Sequence, residues 1–205
     1  MADRTIFLAR HGSRIDSEDP GWAERAENPY DPNLSVTGAH EAHLLAQRMA
    51  GERISSLYSS PYLRTVQTAH ICAKALGLPV RVEAGFGEWL NPRWFTHRPR
   101  TSHARELKRQ FQNVDEYYLS VVDPVFPETW EEAFDRFGRA IDLVLRQTEG
   151  AILIVGHGAT IEGVIGSLLH GRFFNTSADP ASLFRLDLQD GAWNPVFRND
   201  ISHLR

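Results

Sequence analysis

Short apolar runs alternate along this chain with stretches of helical period, and polar, Pro- and Gly-rich punctuation separates them. "TIFLA" (5–9) predicts a first strand, and "ISSLYSS" (54–60) and "PVRVE" (79–83) predict two more. "AILIV" (151–155) is apolar throughout, as expected of a central parallel strand covered on both faces. "SLFRLDL" (182–188) alternates strictly and predicts a strand with one wet face, and the tail "NPVFRNDISHLR" an edge strand.

Between the strands lie helical patterns. "TGAHEAHLLAQRMA" places Ala42, Leu45 and Met49 on one stripe. In "SPYLRTVQTAHICAKALG", Ser60 suits an N-cap, Pro61 the first helical position and Gly77 the stop. Leu63, Val66, His70 and Ala73 of that helix should face the sheet. "TWEEAFDRFGRAIDLVLRQTEG" is the clearest helix, opened by a Thr129–Glu132 capping box and striped by Trp130, Phe134, Phe137, Ile141 and Val144. "ATIEGVIGSLLHG" predicts the next, and 101–120 also reads as helical. Residues 13–35 form a long polar loop, of the kind that often carries function. Strands alternating with helices predict an α/β fold: a three-layer sandwich with a mostly parallel central sheet flanked by helices.

Composition narrows the functional classes. At 205 residues, 42% hydrophobic and 23% charged, the chain suits a single domain, 1–205, with an inserted, partly helical segment at about 84–127. A formal net charge of -4 offers no basic field for nucleic acid, so any anion site must be local. Its one cysteine, Cys72, sits among apolar residues in "TAHICAKAL" and reads as a buried core thiol. No apolar stretch is long enough for a signal peptide or a membrane span. The expectation is a cytoplasmic protein with no membrane or nucleic-acid partner.

Two strand ends match in kind. "LARHG" and "IVGHG" each run from an apolar strand into a histidine flanked by glycine. In a parallel sheet the carboxyl ends point one way, and ligands bind in the crevice outside them. His11 and His157 are therefore expected to meet, with Arg64 joining from a third strand–helix junction. Arg10, Arg14, Arg64 and two imidazoles suit a phosphate dianion, because the guanidinium fork matches phosphate oxygens bidentately. A cluster this basic in an acidic protein predicts an anionic ligand to offset the repulsion. Gly12 is expected to let substrate approach the backbone.

These residues resemble the histidine phosphatase superfamily, the group of phosphoglycerate mutases and phosphatases. "LARHG", "DPNLSVTGAHEA", "LYSSPYLRTVQTA", "GEWL" and "VGHG" are similar to its ordered segments, over nearly the whole chain. "RHGSRID", through Arg14, resembles the phosphatase branch of lymphocyte signalling suppressors and insect steroid-phosphate phosphatases. The resemblance implies a phosphomonoester hydrolase needing neither metal nor cofactor. His11 would form a phosphohistidine, Arg10, Arg14, Arg64 and His157 would hold the phosphoryl oxygens, and Glu88 would act as acid and then base. Glu83, the nearest competing carboxylate, is expected on the strand face or rim. Trp89, Trp94 and Phe95 follow Glu88 and either wall an apolar leaving-group pocket or pack the inserted helices. The substrate expected is a phosphorylated small molecule or a phosphotyrosine-type ester. A phosphoglycerate-type mutase and a noncatalytic phosphate-binding scaffold are the alternatives.

Overall fold

A computed structural model describes residues 4–171 and 177–205. Strands β1 (Arg4–Arg10), β2 (Ile54–Ser59), β3 (Val80–Val82), β4 (Ala151–Gly156), β5 (Leu183–Gln189) and β6 (Ala192–Asp200) form one sheet. Their order is β3-β2-β4-β1-β5-β6; β1 to β4 run parallel, and β5 and β6 are antiparallel additions at one edge.

Alternation along the central strands gives the sheet two apolar faces. Ile6, Leu8, Ile152 and Ile154 face one core, built with α6 (Trp130–Gln147) and α7 (Gly158–Leu168). Phe7, Ala9, Leu153 and Val155 face the other, built with α3 (Val36–Met49) and α4 (Leu63–Leu76). Every one of those eight side chains is buried, which is why both central strands read as unbroken apolar runs.

The helices mostly follow their patterns. Thr129 and Glu132 cap α6 reciprocally, and Ala133, Phe137, Ala140, Ile141 and Val144 are its buried stripe. Trp130 and Phe134 pack at its rim. Gly77 ends α4 in a left-handed conformation (φ 66°).

Other expectations need correction. Helix α4 begins at Leu63, not at Ser60–Pro61, and Tyr62 is its N-cap residue. The Leu63 N–H is capped in trans, by the Asp31 carboxylate at 2.7 Å. Val66, Ala69, Cys72 and Ala73 form its buried stripe, while Leu63 and His70 stay partly exposed. Within 101–120 only α5 (Ala104–Gln110) is helical. Beyond it Val114 bridges to Val80 and extends the β3 edge, so burial of a β-branched residue against the sheet outweighs helix propensity there. The outer face of strand β5 is only partly wet, with Arg185 half-buried and Gln189 exposed. Asp187 is buried, accepting from Thr5 Oγ1 at 2.9 Å and from the Arg185 fork at 3.0 Å. The 13–35 loop contains two single-turn helices, α1 (Ile15–Glu18) and α2 (Trp22–Arg25).

Candidate active site

Three parallel strands deliver the site. Arg10 pairs with Gly156 across β1 and β4, so the residues that follow them, His11 and His157, emerge side by side. Their rings lie edge to face with centroids 5.3 Å apart. Ser59 pairs with Val155 at the end of β2, and the turn that follows leads into α4 and Arg64. The expected convergence of His11, His157 and Arg64 is realised.

Arg64 joins the two imidazoles. Its Nε–H donates to His11 Nε2 at 3.2 Å, and its Nη2 group donates to His157 Nδ1 at 3.1 Å. A guanidinium has donors only, so both of these ring nitrogens present lone pairs. The other nitrogens settle the tautomers: His11 Nδ1–H donates to Gly12 O at 2.7 Å, and His157 Nε2–H donates to Ser60 Oγ at 2.7 Å. Both rings are closed off from water, at 2% and 0% exposure. Burial first, and the Arg64 charge second, hold each imidazole well below its ordinary range, so both are neutral at pH 7.

Glu88 completes the group. Its Oε2 lies 3.4 Å from His157 Nδ1 and 3.6 Å from Arg64 Nη2. The competing Glu83 lies elsewhere, and not on a rim. Fully buried at the end of β3, it accepts from the Gly85, Val121 and Val122 N–H groups and from the Tyr118 and Ser120 hydroxyls. It anchors the inserted segment to the sheet.

A cavity of about 510 Å³ opens over this cluster, lined by Arg10, Arg14, Arg64, Glu88 and Asp16 on its polar side. Pro29, Tyr30, Pro32, Trp94 and Phe95 form the opposite wall. Trp89, expected on that wall, instead stands behind it. It packs edge-on against Trp94 and Trp130 and donates from Nε1 to Glu128 O at 3.0 Å. Arg14 grips Asp16 with both arms of its fork, each at 2.9 Å, and Arg10 Nη1 donates to Ala178 O at 2.6 Å. Arg10 Nε and Arg64 Nη1 are buried with no acceptor among the described residues.

Several residues acquire roles that sequence reading missed. Gly12 is also required by packing: a Cβ there would collide with the Gly38 carbonyl, and a Cβ on Gly38 with the Ser13 carbonyl. Glu41 then accepts from the Ser13 N–H at 2.7 Å and from its hydroxyl at 3.0 Å. "TGAHEA" is thus the cradle of the 11–14 turn. Ser60 is a histidine partner in place of the expected helix cap. Asp31 gave no local signal, since an Asp in a polar loop is unremarkable. Among the described residues, no group of three or more His, Cys, Asp or Glu could hold a metal ion. No helix among them is long and apolar enough to cross a membrane.

A family model, the histidine phosphatase superfamily (branch 1), matches residues 6–201. The chain belongs to the histidine phosphatase superfamily. Among curated members, it is 28% identical over 212 residues to the human ubiquitin-associated and SH3 domain-containing protein A. It is 30% identical over 203 residues to the ecdysteroid-phosphate phosphatase of Bombyx mori. These alignments take in 82% and 80% of this chain but only 32% and 30% of those proteins, so the chain spans about a third of their length. The probable phosphoglycerate mutase GpmB of Yersinia pestis is 30% identical over 92% of this chain and 86% of its own. Among solved structures, the Bombyx mori ecdysone phosphate phosphatase with tungstate superposes at a TM-score of 0.80. It has 23% identity and covers 96% of this chain and 93% of that one. A phosphoglycerate mutase from Bacillus anthracis superposes at 0.70 with 21% identity, covering 98% and 95%. At these identities the structures establish the shared fold, that of the phosphoglycerate mutase-like histidine phosphatases.

Proposed function

We propose that this chain is a phosphomonoester hydrolase working through a phosphohistidine on His11, within one domain spanning 1–205. The observation that supports this best is Arg64, which touches the lone-pair nitrogens of both histidines while Glu88 stands 3.6 Å from it. Nucleophile, phosphoryl clamp and acid are gathered at one end of the sheet.

In the first step His11 Nε2 releases its bond from Arg64 and attacks phosphorus. A P–N bond forms as the P–O ester bond breaks, and the Glu88 carboxyl gives its proton to the leaving oxygen. Arg10, Arg14 and Arg64 take the charge spread over the equatorial oxygens, and they do so best where it peaks, in the transition state. In the second step the Glu88 carboxylate takes a proton from water, water oxygen attacks phosphorus, and the P–N bond breaks. The first Nδ1–H bond, to Gly12 O, keeps His11 in the reactive tautomer throughout.

The leaving group we assign is uncharged and ring-bearing, as in aryl, phosphotyrosine-type or steroid-like phosphates. Tyr30, Trp94 and Phe95 offer aromatic surface, and among the described residues the cations lining the cavity belong to the phosphoryl cluster. A mutase must hold a second anion, which is why hydrolysis is the favoured reading over phosphoglycerate transfer. The Bombyx mori relative is named for a steroid phosphate, which agrees with this pocket.

The test uses labelled aryl phosphate with excess chelator. Alkali-quenched enzyme should carry label on histidine and release phosphate, and His11→Ala should do neither while staying folded. Activity abolished by chelation and restored by zinc, or full turnover by His11→Ala, overturns the mechanism. Interconversion of phosphoglycerates without net phosphate release makes the chain a mutase.

A further inference from the structure

Arg136 lies on the buried side of α6, 1% exposed, and its guanidinium is aimed into the turn that carries Glu88. Its Nη1 donates to Gly85 O at 2.7 Å and to Gly87 O at 3.2 Å, and its Nη2 donates to Glu88 O at 3.2 Å. The same guanidinium forks onto Glu128, with Nε–Oε1 at 2.6 Å and Nη2–Oε2 at 2.8 Å. Glu128, 5% exposed, grips the far side of that turn. Its Oε2 accepts from Leu90 N–H at 3.2 Å, and its backbone N–H donates to Leu90 O at 3.1 Å.

Residues 85–90 have no strand or helix ladder beyond the single 3-10 turn at 84–86. The Gly85, Gly87 and Glu88 carbonyls are held by one buried cation instead, which is costly to bury unless its donors are used. Three of its hydrogen bonds go to the turn around Glu88 and two to Glu128, which itself holds Leu90. A pair placed only to stabilise α6 would bond along α6. This one bonds across to the turn bearing the proposed acid.

We infer that Arg136 and Glu128 are positioning residues that fix the Glu88 carboxyl in register with the leaving oxygen. This rests on the reading of Glu88 as general acid. Proton transfer depends on hydrogen-bond reach, so a displacement near 1 Å costs up to about a hundredfold. That loss appears only where protonation matters, which is with poor leaving groups.

The experiment compares p-nitrophenyl phosphate, a good leaving group, with phenyl phosphate, a poor one. Wild type, Glu88→Gln, Arg136→Lys, Glu128→Gln and the Glu88→Gln/Arg136→Lys double variant are measured for kcat and KM on both. Arg136→Lys is expected to lower kcat on phenyl phosphate by at least tenfold and on p-nitrophenyl phosphate much less, with KM within about twofold. In the double variant, Arg136→Lys should add nothing to Glu88→Gln. Equal losses on both esters, or full additivity with Glu88→Gln, overturn the inference and leave a merely structural ion pair. If Arg136→Lys does not fold, Glu128→Gln, which keeps the shape of the side chain and leaves Arg136 in place, carries the same comparison. If Glu88→Gln itself shows no dependence on leaving group, the acid assignment fails first and the positioning role fails with it.

Discussion

Replacing Asp31 with asparagine should make the protein more stable at pH 8 and no more stable at pH 3. The carboxyl is buried in the loop before α3. Its Oδ1 accepts from Leu63 N–H at 2.7 Å and stands 3.8 Å from Arg64 Nη1. Burial pushes it up from its ordinary 3.8 to about 6, against the opposing pull of the Leu63 N–H and the Arg64 charge. A group raised in the folded state favours folding fully below its unfolded value, and that contribution fades as pH rises through about 6. The rise from 3.8 to about 6 spans roughly two pH units, and each is about 1.4 kcal/mol, so ionised Asp31 costs up to about 3 kcal/mol at pH 8. Asparagine keeps an oxygen for the Leu63 N–H and never ionises.

Urea unfolding in phosphate-free buffer between pH 3 and 8 measures the gap between variant and wild type. Phosphate is omitted because a ligand bound only by the native state would mask the difference. The variant should lead by about 3 kcal/mol at pH 8, roughly 6–12 °C in Tm for a chain of this size, and the lead should fall to about half by pH 5 and close only below about pH 3.8. A gap that stays flat with pH, or a wild type that is the more stable at pH 8, refutes the reasoning. The second result would mean that attraction to Arg64 outweighs burial. The stability gained should come with slower turnover, because Asp31 is one of two carboxylates that aim Arg64.

Two further outcomes follow from packing. Gly38→Ala drives a Cβ into the Ser13 carbonyl, so the 11–14 turn must shift; a loss of about 2 kcal/mol and at least tenfold in kcat is expected by urea titration and p-nitrophenyl phosphate assay, and an unimpaired variant refutes the cradle role of "TGAHEA". Cys72 is fully buried and its thiol is pushed up to about 12, so native protein at pH 8 should resist a thiol reagent until it unfolds, and Cys72→Ala should keep its activity; fast labelling of the active native form refutes this.

What could be read from the sequence is what local chemistry decides. The unbroken apolar runs of β1 and β4 follow from burial on both faces, and the capping box of α6 from two side chains three residues apart. The strand ends placed His11 and His157 together because parallel strands share a direction. What escaped reading depends on partners distant in the chain. Helix propensity across 101–120 loses to Val114 pairing with Val80, and Ser60 is drawn from capping to His157. Arg136 did leave a trace. It lies three residues after Ala133 and four before Ala140, within the apolar stripe, where an arginine needs a buried acceptor.

The cationic cluster also needs less from a ligand than its composition implies. Each guanidinium already has an internal oxygen: Asp16 on Arg14, the Ala178 carbonyl on Arg10, and Glu88 and Asp31 at 3.6 and 3.8 Å from Arg64. Repulsion is therefore offset before any phosphate arrives, and the site is preorganised without one. What remains open is specific. Arg10 Nε and Arg64 Nη1 are buried donors with no acceptor among the described residues. In the proposed reaction each would bring a phosphoryl oxygen a charge-assisted bond of about 1.5–3 kcal/mol. Burial also keeps His11 neutral, so the proposed nucleophile, which would be half protonated near pH 6.5 in water, stays in the form that the proposed mechanism requires. On that mechanism one device, a buried arginine between two imidazoles, prepares both the clamp and the attacking nitrogen.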